Sequence, residues 1–406
     1  MSGFLVGGRL RRSLRHREFR LYFFGQMVSL HGTWMQNVAQ AWLVYRLTNS
    51  SFMLGLVSFV SLVPVLVLGL VGGAAADRFP RRRLFLITQL LSLGQALTLA
   101  VLTLGGVVTV GQVMALAMVL GLAQAFEIPA RHTLLAGLVP REDLHNAIAL
   151  NSSLFNLARF VGPAVAGWLV ALVGEGPVFL INALSFLAVV AALLAMRPPA
   201  APPVTGHTTG SRIGEGLRYA RTQPPIRRAL ALVAVASLTG VPYMVLMPVF
   251  ARQVFGGGPG ILGVLLGAAG AGALVGALYL AQRQRSEGLE RVMGAAGILA
   301  GLGLVAFSRT HALVAALAVL PVVGFAMTTL VASTNTFLQL SAPEALRGRV
   351  MSLFSVLFIG LAPVGNLSAG ALAHALGAPF TVGVLGAVCC GAALVYTLRG
   401  RRQRGR

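Results

Sequence analysis

The 406-residue sequence contains no lysine, so all 32 of its Lys+Arg residues are arginine. A Walker A phosphate loop, a Schiff base and a catalytic ammonium each need a lysine, and the chain can build none of them. Acids are also scarce. There are ten Asp and Glu, leaving a net charge of +22. Charged residues make up 10% of the chain, against roughly 25% in soluble domains. The two cysteines, Cys389 and Cys390, are adjacent in an apolar run, which excludes a disulfide framework or zinc-ligand spacing and reads as core packing. No metal and no cofactor is expected. What the chain has in excess is apolar residues, at 56%, with a mean hydropathy of +0.82. That composition excludes a disordered chain and a soluble globule and names the lipid bilayer as a partner.

At about 20 residues per crossing, twelve apolar runs qualify as membrane spans. The first covers 22–45, the fourth 110–137, the fifth 144–172, the seventh 228–252 and the eleventh 347–373. Arginine clusters between the runs, so the positive charge reads as topology and not as nucleic-acid binding. With the N-terminus inside, 28 of the 32 arginines fall in inside segments, Arg46, Arg252 and Arg309 fall outside, and Arg159 lies within a span. The expectation is a multi-pass protein of the cell (inner) membrane with both termini cytoplasmic. The proline-rich stretch 197–227 reads as a linker. The expected organisation is a basic segment 1–20, a six-helix bundle 21–196, the linker 197–227, a second six-helix bundle 228–398 and a basic tail 399–406. Gly55 and Gly263, and Arg83 and Arg291, repeat at an offset of 208, as expected of a duplicated six-span unit. The fold class is therefore all-α membrane protein, with twelve transmembrane helices in two pseudo-symmetric six-helix bundles.

The loop between the second and third spans reads Gly73-Ala-Ala-Ala-Asp77-Arg78-Phe-Pro-Arg81-Arg82-Arg83. A carboxylate at a helix end among guanidiniums is suited to a charge relay that latches two bundles. Here the chain resembles the major facilitator superfamily, whose loop signature is Gly-x-Leu-Ala-Asp-Arg-x-Gly-Arg-Arg/Lys. Gly73, Asp77, Arg78, Arg81 and Arg82 match it, while Ala75 and Pro80 depart from it. In span 5, Ala158-x-x-x-Gly162-Pro163-x-x-Ala166-Gly167 is a Gly/Ala version of the motif that marks the family's proton antiporters. Small residues there also suit ordinary close helix packing. The segment Phe126-Glu127-Ile128-Pro129-Ala130-Arg131 resembles the drug- and siderophore-exporter branch, which contains macrolide efflux proteins and the enterobactin exporter. The resemblance covers nearly the whole chain and implies the major facilitator fold and export of a small-molecule substrate.

Two further patterns are read from the residues. Gln26, Ser29, Thr33, Gln36 and Gln40 fall within about 80° of one another on the first span. Such a stripe faces either a substrate cavity or another helix, because lipid is excluded. Asn156 in span 5 joins the cavity candidates, and His31 sits off the stripe as a packing residue. Glu127 is the one acid well inside a span and Arg159 the one arginine deep in a span, so a Glu127–Arg159 pair is expected, serving either proton coupling or structure. Taken with the resemblance, these features imply a secondary active transporter. It is expected to act as a monomer, exporting an amphipathic compound by proton antiport with alternating access. The partners are a small-molecule substrate, protons and lipid. A lipid or lysophospholipid flippase, and an intramembrane enzyme or sensor, are the competing readings. Neither His-Glu-x-x-His nor Gly-x-Ser-x-Gly occurs in support of the enzyme.

Overall fold

The structure is a computed structural model that describes residues 12–197, 217–283 and 288–404. Parts of the expected N-terminal segment, linker and tail lie outside the described residues. Every regular element among the described residues is helical. A short turn at Ser13–Arg15 precedes α1 (Arg17–Thr48), α2 (Ser51–Arg78), α3 (Arg81–Leu104), α4 (Val110–Ala136), α5 (Leu144–Val173) and α6 (Glu175–Ala195). Then follow α7 (Pro224–Val254), α8 (Pro259–Gln282), α9 (Leu289–Ser308), α10 (Leu313–Ser341), α11 (Leu346–Leu376) and α12 (Ala378–Arg404). Among the described residues, eleven helices are long and apolar enough to cross a membrane. The twelfth, α1, has 32 residues and carries the polar stripe, which dilutes its apolarity. Large apolar side chains stay exposed along the helices, including Val67, Trp168, Leu172 and Val314, as lipid-facing positions require.

Residues form two compact units. The first comprises 1–43 and 60–206, and the second comprises 44–59 and 207–406. The second unit thus takes in the end of α1 and the first turns of α2.

In the first unit, Phe19, Tyr22, Phe85, Leu134, Leu138, Val189, Leu193 and Met196 are buried together in one cluster. Midway along, α2 and α4 touch through backbone. A Cβ at Gly121 would collide with the Ser61 carbonyl oxygen, so only glycine permits this approach.

The second unit repeats the device. A Cβ at Gly324 of α10 would collide with the Ala269 carbonyl oxygen of α8. The second and fourth helices of each six-helix set therefore meet in the same way, a packing echo of the sequence repeat. At the start of α2, a Cβ on Gly370 would lie 2.7 Å from the Ser51 oxygen. Beside this contact the Asn366 amide donates to Ser58 Oγ at 2.8 Å.

Two spans of the second unit are not continuous α-helices. Helix α7 is regular over Pro224–Val235, opens into a wider turn at Ala236–Gly240, tightens at Pro242–Leu246 and widens again at Phe250–Val254. Pro242 and Pro248 remove two backbone donors and force these changes. The α11 span is carried by two regular helices, Glu344–Phe358, which begins just before it, and Ala362–Leu376, with a break between them ahead of Pro363. The breaks meet each other. Ser237 Oγ donates to the Phe358 carbonyl at 2.6 Å, and a Cβ on Gly365 would sit 2.9 Å from the Ser237 oxygen.

Candidate functional site

In the first unit four helices converge on Glu127. Pro129 sits inside α4 without ending it, so the helix continues to Ala136 and keeps Arg131 one turn beyond Glu127. The Arg131 guanidinium donates from Nη1 to Glu127 Oε1 at 3.0 Å, and the two side chains are only 12% and 14% exposed. Pro129 has no amide to give the Ala125 carbonyl four residues back. Gly72 of α2 packs against that same carbonyl oxygen so closely that any side chain would collide with it. On the other side, the Arg131 guanidinium carbon lies 4.5 Å from the centre of the Phe155 ring on α5. Tyr22 of α1, within electrostatic range of the ion pair, donates its hydroxyl to Asn151 Oδ1 of α5 at 3.0 Å. Gln89 of α3 lies beside the Glu127 carboxylate without reaching full hydrogen-bond geometry.

The expected Glu127–Arg159 pair is therefore replaced by Glu127–Arg131. The expectation keeps Arg131 within span 4 but counts it with the inside arginines and matches Glu127 to Arg159 by depth, whereas the helix itself supplies Arg131 as the partner at i,i+4. The Arg159 guanidinium carbon instead lies 6.0 Å from the Trp34 ring centre. Trp34 also sets the approach of α5. A Cβ on Gly162 would come within 2.6 Å of the Trp34 Cβ. Gly162, Pro163 and Gly167, with Ala158 and Ala166, form the buried face of α5.

The polar stripe of α1 turns into its own bundle. Gln26, Ser29 and Gln36 are 2%, 3% and 1% exposed. Gln36 donates from Nε2 to Gln95 Oε1 of α3 at 2.9 Å and accepts from Asn182 Nδ2 of α6 at 2.7 Å. Ser185 donates to Asn182 Oδ1 at 3.0 Å. Gly32 makes room for this cluster, since a Cβ there would collide with Ser185 Oγ. Of the two sequence readings, Gln36 thus takes the interhelical one. Thr33 donates to the Ser29 carbonyl of its own helix at 2.9 Å, and Gln40 is half-buried. Asn156 donates to the Ser152 carbonyl at 2.9 Å on the more open face of α5. The more accessible face of α1 instead carries His31, Trp34 and Asn37.

The loop arginines have defined partners. Arg81 donates to the Thr133 carbonyl near the end of α4 at 3.3 Å, and Arg82 donates from Nη2 to the Leu194 carbonyl at the end of α6 at 2.9 Å. Cations at helix C-termini satisfy orphan carbonyls and the negative end of the dipole. Asp77 and Arg78 are exposed. Gly73 is bordered by open space, and its neighbour Gly72 makes the close contact. Nearby, Asp143 forms an ion pair with Arg12 at 2.7 Å and contacts His16 Nε2 at 2.8 Å, which holds the turn at Ser13–Arg15 against the α4–α5 loop.

Sequence reasoning passed over Tyr22, Gln89 and Phe155, which complete the surroundings of Glu127. Their helical positions were legible, but their convergence depends on how the helices pack.

The sequence itself points to relatives built on this plan. Residues 12–403 match the family described as transmembrane secretion effector. The multidrug efflux pump Tap of Mycolicibacterium fortuitum is 30% identical over 368 residues, covering 88% of this chain and 89% of that protein. The staphyloferrin A transporter of Staphylococcus aureus is 24% identical, covering 90% and 92%. A POT family transporter solved in complex with a thioalcohol conjugated peptide superposes with a TM-score of 0.76 at 12% identity, over 95% and 96% of the two chains, a likeness of fold alone. Matched to that family over almost its full length, the chain belongs to the transmembrane secretion effectors of the major facilitator superfamily.

Proposed function

We propose that the protein exports an amphipathic small molecule, of drug-like or siderophore-like chemistry, by proton antiport with alternating access. The cargo class rests on the names of the relatives, a multidrug efflux pump and a siderophore transporter. The coupling rests on one observation: a carboxylate held mid-helix against an arginine, both nearly buried. Glu127 lies nine residues from the end of α4 at Ala136, about 13 Å into the helix. A proton on Glu127 leaves Arg131 without its anion, with only the Phe155 face to hold it. That change of charge balance is the kind of local event that shifts a two-state equilibrium.

The loop carrying Gly73, Asp77, Arg78, Arg81 and Arg82 acts in the conformational cycle, through the exposed Asp77 carboxylate. Arg159 with Trp34, and Asn156, line the cargo path in the first unit. The protein sits in the cell (inner) membrane with both termini cytoplasmic and works as a monomer, without a cofactor.

The test uses purified protein in liposomes with ethidium as a cationic amphipathic probe. Wild type is expected to concentrate ethidium against its gradient when driven by a pH difference. Glu127→Gln is expected to lose uphill transport and keep downhill exchange. Uphill transport at the wild-type rate by Glu127→Gln overturns the assignment of Glu127. Failure of wild type to couple to the pH difference, while still exchanging ethidium, overturns proton antiport.

A further inference from the structure

Beyond Glu127 the first unit contains a second polar feature that the ion pair does not explain. On α3, Gln89, Ser92 and Gln95 are 1%, 0% and 3% exposed. Among the described residues, four of their side-chain polar atoms have no hydrogen-bond partner: both amide atoms of Gln89, Ser92 Oγ and Gln95 Nε2. Buried polar groups in proteins are nearly always bonded, and inside a bilayer no bulk water stands in for a missing partner. Three such residues at i, i+3 and i+6 of one helix lie on neighbouring turns, about 4.5 Å apart along the axis. The row has defined ends. Gln89 lies beside the Glu127 carboxylate. Gln95 Oε1 accepts from Gln36, which accepts in turn from Asn182, and Asn182 accepts from Ser185.

We propose that this seam between α1, α3 and α6 binds a file of water molecules that carries protons to Glu127 from one side of the membrane. A water needs two to four polar partners, and the unmet atoms of Gln89, Ser92 and Gln95 supply them in sequence. Gln89 lies about 12 Å and Gln95 about 21 Å along α3 from Arg81. The file therefore runs from the level of the carboxylate toward the opposite end of the helix, through the inside of one bundle. A proton arriving along it protonates Glu127. Protonation takes the anion from Arg131, and after the conformational change the proton leaves toward the Arg81 end of the bundle, so each cycle moves it across the membrane. Cargo need not share this route. The proposal rests on the coupling reading of Glu127 for its purpose, but the presence of water is tested without it.

The decisive experiment has two parts. The first is a structure of the wild-type protein in lipid nanodiscs at a resolution that shows ordered water. Water within hydrogen-bond distance of Ser92 Oγ and Gln95 Nε2 supports the seam, and a dry seam overturns it. The second fills the seam with Ser92→Leu and measures proton counterflow with an internal pH dye during ethidium exchange in liposomes. Proton counterflow is expected to fall at least tenfold while downhill ethidium exchange stays within twofold of wild type. Ser92→Thr, which keeps the hydroxyl, is expected to retain most of the counterflow. Wild-type counterflow in Ser92→Leu overturns the proposal. If Ser92→Leu does not fold, the water positions and the Ser92→Thr result decide the matter. Glu127→Gln in the same assay separates the two ideas. Loss of coupling there, with a dry seam and normal counterflow in Ser92→Leu, leaves Glu127 standing and removes the seam alone.

Discussion

Replacing Arg131 by Gln tests whether the Glu127 carboxylate is held by its helical neighbour. The pair is 3.0 Å long, with side chains 12% and 14% exposed, so it behaves as nearly buried. Removing one member of a buried pair costs about 3–5 kcal/mol, because the other charge stays behind uncompensated. The remaining exposure argues for the lower end, about 3 kcal/mol. Glu127→Gln alone is expected to cost less, about 2 kcal/mol, since the Phe155 ring at 4.5 Å still faces the guanidinium. Neutralising both leaves no stranded charge, so the double variant is expected within about 1 kcal/mol of wild type. For a chain of this size 1 kcal/mol moves Tm by about 2 °C. Arg131→Gln should then melt about 6 °C below wild type, and the double variant within about 2 °C of it. Melting is followed in detergent with a thiol-reactive dye in a Cys390→Ala background, because Cys389 is 0% exposed and reacts only on unfolding, whereas Cys390 is half-buried. A double variant as unstable as Arg131→Gln refutes the reasoning. So does a larger coupling energy in a Glu127/Arg159 cycle than in the Glu127/Arg131 cycle.

Packing in the α2–α3 loop motif predicts a contrast between neighbours. Gly73→Ala enters open space and is expected to keep the wild-type Tm within about 1 °C, whereas Gly72→Ala meets the Ala125 carbonyl oxygen and is expected to lose about 1–3 kcal/mol. Equal losses at the two positions contradict the contact. For Asp77, exposed at the end of α2, Asp77→Asn is expected to leave folded yield unchanged and to lower ethidium export at least fivefold in the liposome assay. Unchanged export removes the carboxylate from the transport cycle.

The helical plan was legible because two strong physical signals agree. Apolar runs mark the crossings and arginine marks the segments between them. The breaks in α7 and α11 were not legible by that route. Hydropathy stays high across Ala236–Gly240 and across the break before Ala362, so a count of apolar residues passes through both without interruption. The signal was present in Pro242, Pro248 and Pro363. A proline inside a membrane helix has two outcomes, however. At Pro129 the helix runs on, and at Pro242 it changes pitch. What decides between them is which neighbour meets the freed carbonyl, and that depends on tertiary packing.

The same limit explains the site. An 80° polar stripe on α1 excludes lipid but does not distinguish a cavity from a neighbouring helix. Gly32, four residues before Gln36, held the missing clue, since it allows α6 to approach and puts Asn182 against the glutamine. Scarcity was a better guide than periodicity. With ten acids in the chain and one of them well inside a span, Glu127 stood out from composition alone. Its partner is not legible from depth, because matching Glu127 to the one arginine deep in a span passes over Arg131, one turn further along the same helix. A carboxylate inside a membrane accepts the nearest cation that geometry offers. The unbroken turn between Glu127 and Arg131 offers one at 3.0 Å, without asking two helices to align. The pair therefore travels with α4 as a unit. A device that alters its charge therefore reaches it from a neighbouring helix, and α3 offers such an approach through Gln89.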